Sequence, residues 1–298
     1  MIKPLTHGLV LALVASLPLT AQAHRAWLLP SATVLSGETP WVTVDAAVSN
    51  ELFSFEHHPL VLEGIGEAPQ RAARAPATGN AAPARARPAN QLVITAPDGS
   101  QVQAHNGHVG KYRSVFDVEL THKGTYKLAV AGAPRYFARY TANGEDQRVM
   151  GALDEVVQGI PNEADQVQVS QMESRMEVFI TSGQPTDQVL KPTGQGLELT
   201  PVTHPNDLFA GELSEFIFIL DGKPAAGVDV TVIPAGVRHR DELNELKYTT
   251  GDDGKVAINW PAAGYWWLEA KLVQDSGLDA PLTQRRAGYT ATLEVMAP

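Results

Sequence analysis

The sequence predicts an all-β protein built as two antiparallel β-sandwich domains in tandem. Three observations carry that expectation. Short segments of alternating apolar and polar residues recur along most of the chain, the pattern of half-buried strands. Asp-Gly, Asn-Gly and Lys-Gly pairs stand between them, and such pairs favour tight reversals between strands. Long segments with helical apolar spacing are missing; only 146–158 offers a short helix.

Residues 1–23 read as a secretory signal. Lys3 supplies a basic start, residues 9–19 form an apolar run, and Ala21-Gln22-Ala23 has the small-x-small form of a cleavage site. The run is shorter than the roughly 20 residues of a membrane span. The expected product is therefore periplasmic, is not inserted in a membrane after cleavage, and starts at His24.

The N-terminal domain is expected over 24–182, with strands over 41–48, 91–95, 115–120, 125–130 and 171–182. Residues 67–90, EAPQRAARAPATGNAAPARARPAN, offer no apolar face and read as a mobile surface insertion. Residues 183–196 contain several Gly, Pro and Thr and read as a linker. The C-terminal domain, 197–298, is expected to place strands over 216–220, 228–233, 255–260, 264–270 and 290–295. Turns at Asp221-Gly222-Lys223-Pro224 and Gly251-Asp252-Asp253-Gly254 separate the earlier of these. A seven-stranded sandwich of roughly 100 residues fits that length. Alternation sends Trp266 and Trp267 to opposite faces, so at least one belongs to the core.

The formal net charge is −10, and −11 once Lys3 is removed with the signal. That balance argues against nucleic acid as a partner. There is no cysteine, so an exported chain depends on its core rather than on disulfides. Any metal it holds is bound by nitrogen and oxygen.

Several segments bear a family resemblance. GKPAAGVDVTV (222–232) and TTGDDGKVAINWPAAGYWWLEA (249–270) resemble the strand–turn–strand core of immunoglobulin-like or transthyretin-like modules. In order along the chain, HRAWLLPS, VTVDAAVSNELFSFEHHPL, GKYRSVFDVEL, GTYKLAV and LELTPVTHPNDLFAGE resemble a bacterial periplasmic family. That family is known as a domain of unknown function linked to nickel and cobalt uptake. The resemblance implies a metal-binding role beside membrane or outer-membrane transporter components, and an immunoglobulin-like second domain.

The histidines are where such chemistry would reside. At a mature N-terminus, His24 joins an α-amine and an imidazole on one residue, and both lose protons readily to a competing metal. Nickel, cobalt, copper and zinc all accept such nitrogens. His57 and His204 are candidate companions: FEHHPL at 55–60 resembles the family's pattern, and His204 sits before Pro205 near the expected domain junction. If residues 57–58 are extended, His57 and His58 point to opposite faces, and only one can join a given site. A separate pair, His105 and His108, flanks Asn106-Gly107. A two-residue hairpin there would set the two imidazoles opposite each other, with Cβ atoms about 4.5–5.5 Å apart. His122 lacks companions, and His239 lies between Arg238 and Arg240.

No phosphate loop, nucleophile elbow or zincin helix is present. Asp252-Asp253-Gly254 lacks the alternating carboxylates of a calcium loop. Asp45 and Glu56 are the carboxylates near the histidines that could orient one of them. The leading expectation is a non-enzymatic binder of a divalent transition metal or its chelate. Two alternatives differ in class: a copper-dependent oxidative enzyme built on the same terminal chelate, and an adhesive or scaffolding sandwich.

Overall fold

The computed structural model describes residues 24–66 and 90–298. The signal segment, and all of the 67–90 insertion but its last residue, lie outside the described residues. Within them the chain is nearly all β, as the alternation predicts.

The sheets are positioned by where each strand buries its apolar residues. In Trp41–Ser49 the side chains of Val42, Val44 and Ala46 are buried, while Trp41 and Thr43 face outward. This strand is central in a five-stranded sheet, between Arg25–Pro30 and Ser114–Glu119; His58–Pro59 adds to its end. A four-stranded sheet is built around Leu213–Leu220, and a third sheet has eleven strands.

Two cores result. Leu28, Val42, Val44, Phe116 and Val118 pack on Ile94, Tyr126, Leu128, Val178 and Ile180. Leu199, Phe216, Phe218 and Ile258 pack on Val230, Leu268, Tyr289 and Leu293. Each core lies between two sheets, but the eleven-stranded sheet serves both. Its axis is Asp165–Ser182, which pairs with Gly124–Ala131 on the N-terminal side and with Gln284–Val295 on the C-terminal side. The second pairing is parallel, as is the short one between Val34–Leu35 and Asp165–Ser182, so the sheet is mixed rather than purely antiparallel.

The 183–196 segment is tied down. Its 3-10 turn Gln188–Leu190 buries Val189 and Leu190 beside Phe179. Residues 146–158 divide into a strand, Glu145–Gly151, and one short helix, Leu153–Gln158. Strand pairing across Arg135–Ala142 claims the first part of the stretch.

Polar contacts fasten the halves together. Buried Glu177 accepts a 2.9 Å hydrogen bond from the Tyr289 hydroxyl and lies 3.3 Å from Arg175. Buried Glu198 accepts backbone N–H groups of Thr193 and Gly194. Buried carboxylates satisfied in this way avoid the large cost of an unpaired charge. A small apolar cluster of Trp27, Ala47, Leu52, Ile233 and Trp267 fills the remaining junction.

Candidate functional site

The first strand fixes the position of His24. Arg25 opposes Ser49 in the ladder, which sets His24 beside the loop that leaves Ser49. From the other half, Trp267 donates its indole N–H to the Ala26 carbonyl at 3.1 Å, and the Tyr265 hydroxyl donates to the Pro30 carbonyl at 2.9 Å. Burial, followed by the nearby Glu294 charge, raises the Tyr265 pKa, so the hydroxyl stays a donor.

The loop from Asn50 to His57 is shaped by its own side chains. Ser49 Oγ accepts the Trp27 indole N–H at 2.9 Å and donates to the Glu51 carbonyl at 2.6 Å. Glu56 reaches back to accept the N–H groups of Asn50 (2.5 Å) and Glu51 (3.3 Å). Phe53 adopts φ of 61° and packs edge-on against Trp27, with Phe55 beside it. These contacts bend the loop back toward His24.

The result is a group of three imidazoles. The rings of His24 and His57 stack with centroids 3.9 Å apart and planes 20° from parallel. His58 lies 4.8 Å from His57, tilted by 44°. The structure thus joins two of the predicted residues and adds His58, which the extended-strand argument set apart. Its physical reason is local: His57 sits in a bend before the short strand His58–Pro59, so strict alternation does not apply. The neighbouring histidines in EHHP were the available signal.

His58 is oriented for coordination. Its Nδ1 lies 2.9 Å from the Pro59 carbonyl, which can only accept. The proton therefore sits on Nδ1 of the neutral ring, and the Nε2 lone pair is left for a metal. Two imidazoles on one ion, with metal–nitrogen bonds of about 2.0–2.1 Å, hold their ring centres roughly 4.5–6.5 Å apart. The His57–His58 spacing fits that range. His24 and His57 are closer and stacked, so their lone pairs do not yet converge. Accordingly, no three His, Asp or Glu side chains form a ready metal cage among the described residues. His24 is exposed, so its ring has room to turn.

The two carboxylates near the histidines have other partners. Glu56 holds the loop backbone. Asp45 lies 3.3 Å from Arg113, whose guanidinium covers the Phe55 ring. Burial raises the Asp45 pKa, and Arg113 only partly offsets this.

The other predicted histidines lie elsewhere. His204 has both ring nitrogens engaged: Nδ1 accepts the Asn206 N–H at 3.1 Å, and Nε2 lies 3.0 Å from Thr125 Oγ. Thr125, Thr181 and Asn206 continue that chain of hydrogen bonds to the Phe179 carbonyl. Burial lowers the His204 pKa. His105 and His108 do not face one another across a hairpin. Both belong to His105–Val109, where a register shift leaves one extra residue between them, and Asn106 takes φ of 51°. The predicted turn is a bulge within one strand. His105 instead meets the edge of Trp41 at 5.3 Å. Trp260, Trp266 and Trp267 are all buried, so none of them forms an exposed aromatic face.

Residues 21–274 match a family model described as a domain of unknown function, DUF4198. No curated protein matches the chain. Among solved structures, the chain is similar to the dimeric latent PorU from Porphyromonas gingivalis at 10% identity and a TM-score of 0.19. That alignment covers 93% of this chain and 21% of PorU, and a likeness so weak says nothing of function. Among the described residues, no helix is long and apolar enough to cross a membrane.

Proposed function

The chain belongs to the DUF4198 family, and we propose that it binds a divalent transition ion at His24, His57 and His58. Nickel, cobalt, copper and zinc are the candidates, because all accept imidazole nitrogen. The proposed setting is the periplasm, after cleavage behind Ala23, where the protein would hand the ion or its chelate to a membrane or outer-membrane transporter. The observation that carries the reading is the gathering of three imidazoles beside the first strand, with the His58 tautomer set by Pro59.

Each part of the chain has a task in this account. His24 supplies an imidazole and, once cleaved, an amine that closes a chelate ring on the same ion. Its ring turns out of the stack as the ion enters. His57 and His58 supply nitrogens from a loop that Glu56 and the Phe53–Trp27 contact hold in place. Protons and metal compete for the same nitrogens, so binding weakens on acidification.

Calorimetric titration of the protein bearing a verified His24 terminus tests the reading. His57→Ala and His58→Ala should each weaken binding of the preferred ion at least tenfold, about 1.4 kcal/mol. His204→Ala should leave it unchanged. Undiminished affinity in both of the first two variants would refute the site.

A further inference from the structure

A second site lies on an exposed part of the eleven-stranded sheet. Arg135 opposes Met172, Met172 opposes Arg286, and Arg286 opposes Val273. Directly paired residues project to the same side of a sheet, so these four form one row across four strands. Two residues along, Ser174, Gly288 and Lys271 form the next row on that side. Gly288 contributes no side chain there, and the surface sinks between its neighbours. The resulting groove has a volume of about 460 Å³.

The charge around this groove is unlike that of the chain as a whole. Arg135, Arg286 and Lys271 all line it, against one carboxylate, Glu173. Glu173 is already held by Arg285, whose Nε lies 2.9 Å away. The Arg135 side chain makes no ion pair or hydrogen bond among the described residues. Arg286 uses Nε on the Gln284 side-chain oxygen and lies over the Phe137 ring, which leaves its terminal donors to the groove. Lys271 is paired with Glu269 at the rim, an exposed contact that contributes little and exchanges easily. Three cations in a concavity of a protein with net charge −10 focus a local positive field. Met172 and Val273 meanwhile offer an apolar floor. Adjacent strands stand about 4.8 Å apart, so Arg135 and Arg286, two strands apart, sit roughly 10 Å from each other at their backbones.

We infer that this groove binds a small organic anion carrying at least two carboxylates. The guanidinium forks of Arg135 and Arg286 match carboxylates in bidentate fashion. Lys271 adds a point charge, Ser174 a hydroxyl donor, and the carbon skeleton lies on Met172 and Val273 over the Gly288 depression. The site is independent of the histidine cluster and of the metal reading.

Tricarballylate, a tricarboxylate, is the probe, titrated into the full mature protein at low salt by calorimetry. Saturable one-to-one binding is expected, weakening steeply as salt rises. Arg286→Gln and Arg135→Gln should each lower affinity at least fivefold. Gly288→Val fills the depression; a Cβ there would meet nothing nearer than the Glu173 carbonyl at 3.8 Å, so this variant should fold normally and still bind at least tenfold more weakly. Unfolding midpoints of all three variants check that they fold, and Arg135→Gln, at an exposed position, preserves the test if a buried neighbour is disturbed. Inorganic phosphate, lacking the carbon skeleton, should bind more weakly. Absence of saturable tricarballylate binding, equal binding by the Gly288→Val and arginine variants, or phosphate binding as tight as tricarballylate would each overturn the inference.

Discussion

Trp267 donates its indole N–H to the carbonyl of Ala26, across 241 positions of sequence. The C-terminal half thereby holds the strand that begins one residue after His24. The ring also fills the apolar junction between the two cores, beside Trp27 and Ile233. Placement of the candidate metal site thus depends on both halves of the chain.

Truncation of that contact should be costly. Trp267→Ala opens a cavity at the junction and is expected to lower stability by about 3–5 kcal/mol. Trp267→Phe keeps most of the apolar volume but strands the Ala26 carbonyl, for a loss of about 1–2 kcal/mol. Denaturant unfolding measures both; equal and negligible losses would show that the junction is not held by this ring.

Glu56 gives a prediction that separates holding from ligating. Glu56→Ala leaves the N–H groups of Asn50 and Glu51 without their acceptor, at a cost of about 1–3 kcal/mol. The loosened loop no longer presents His57 and His58 together, and metal affinity should fall several-fold. Glu56→Gln keeps an acceptor oxygen and should recover most of both losses, which a direct carboxylate ligand would not allow.

Acid should destabilise the protein through His204. Burial holds its folded pKa below the ordinary value of 6.5, so it is neutral in the folded chain. The unfolded state binds the extra proton first. The contribution of His204 is therefore complete above pH 6.5, declines as pH falls below it, and stops changing beneath the lowered folded value. His204→Gln should flatten this part of the stability curve. An unchanged curve would mean that other groups carry the acid sensitivity.

Gly254 tests the turn that closes the four-stranded sheet. It adopts φ of +74°, and a Cβ would fall 2.4 Å from the Phe218 carbonyl oxygen. The Gly254 carbonyl also accepts the Phe218 N–H at 2.8 Å. Gly254→Ala must break or distort that pairing, and a loss of at least about 1–3 kcal/mol is expected, read as a drop in unfolding midpoint. Gly99→Ala, also at positive φ but with open space around it, should cost less.

Much of the fold was legible because alternation and turn chemistry act locally. Residues 41–48 and 115–120 alternate cleanly, and both form strands within a residue of the expected bounds. Asp221 and Gly222 both take positive φ and close a two-residue hairpin. What could not be read was non-local. Glu145–Gly151 exposes most of its residues, and in Arg135–Ala142 the two buried residues, Phe137 and Ala138, are sequence neighbours, so neither segment alternates in burial. The parallel partnership of Asp165–Ser182 with Gln284–Val295 joins segments more than a hundred residues apart, and no local signal encodes it. In the site, His24 and His57 were identifiable by residue type and position, but His58 depended on a bend. The Asn106-Gly107 signal produced a bulge because His105 and Val109 both find partners on one neighbouring strand.

The most direct test concerns the terminal amine. Protein beginning at His24 is compared by calorimetry with protein carrying one extra residue before His24, using nickel, cobalt, copper and zinc. The extension keeps every imidazole but moves the amine out of chelating reach. The account predicts at least a tenfold loss of affinity for the preferred ion, about 1.4 kcal/mol, with unfolding stability unchanged. Equal affinity of the two proteins for all four ions would contradict it.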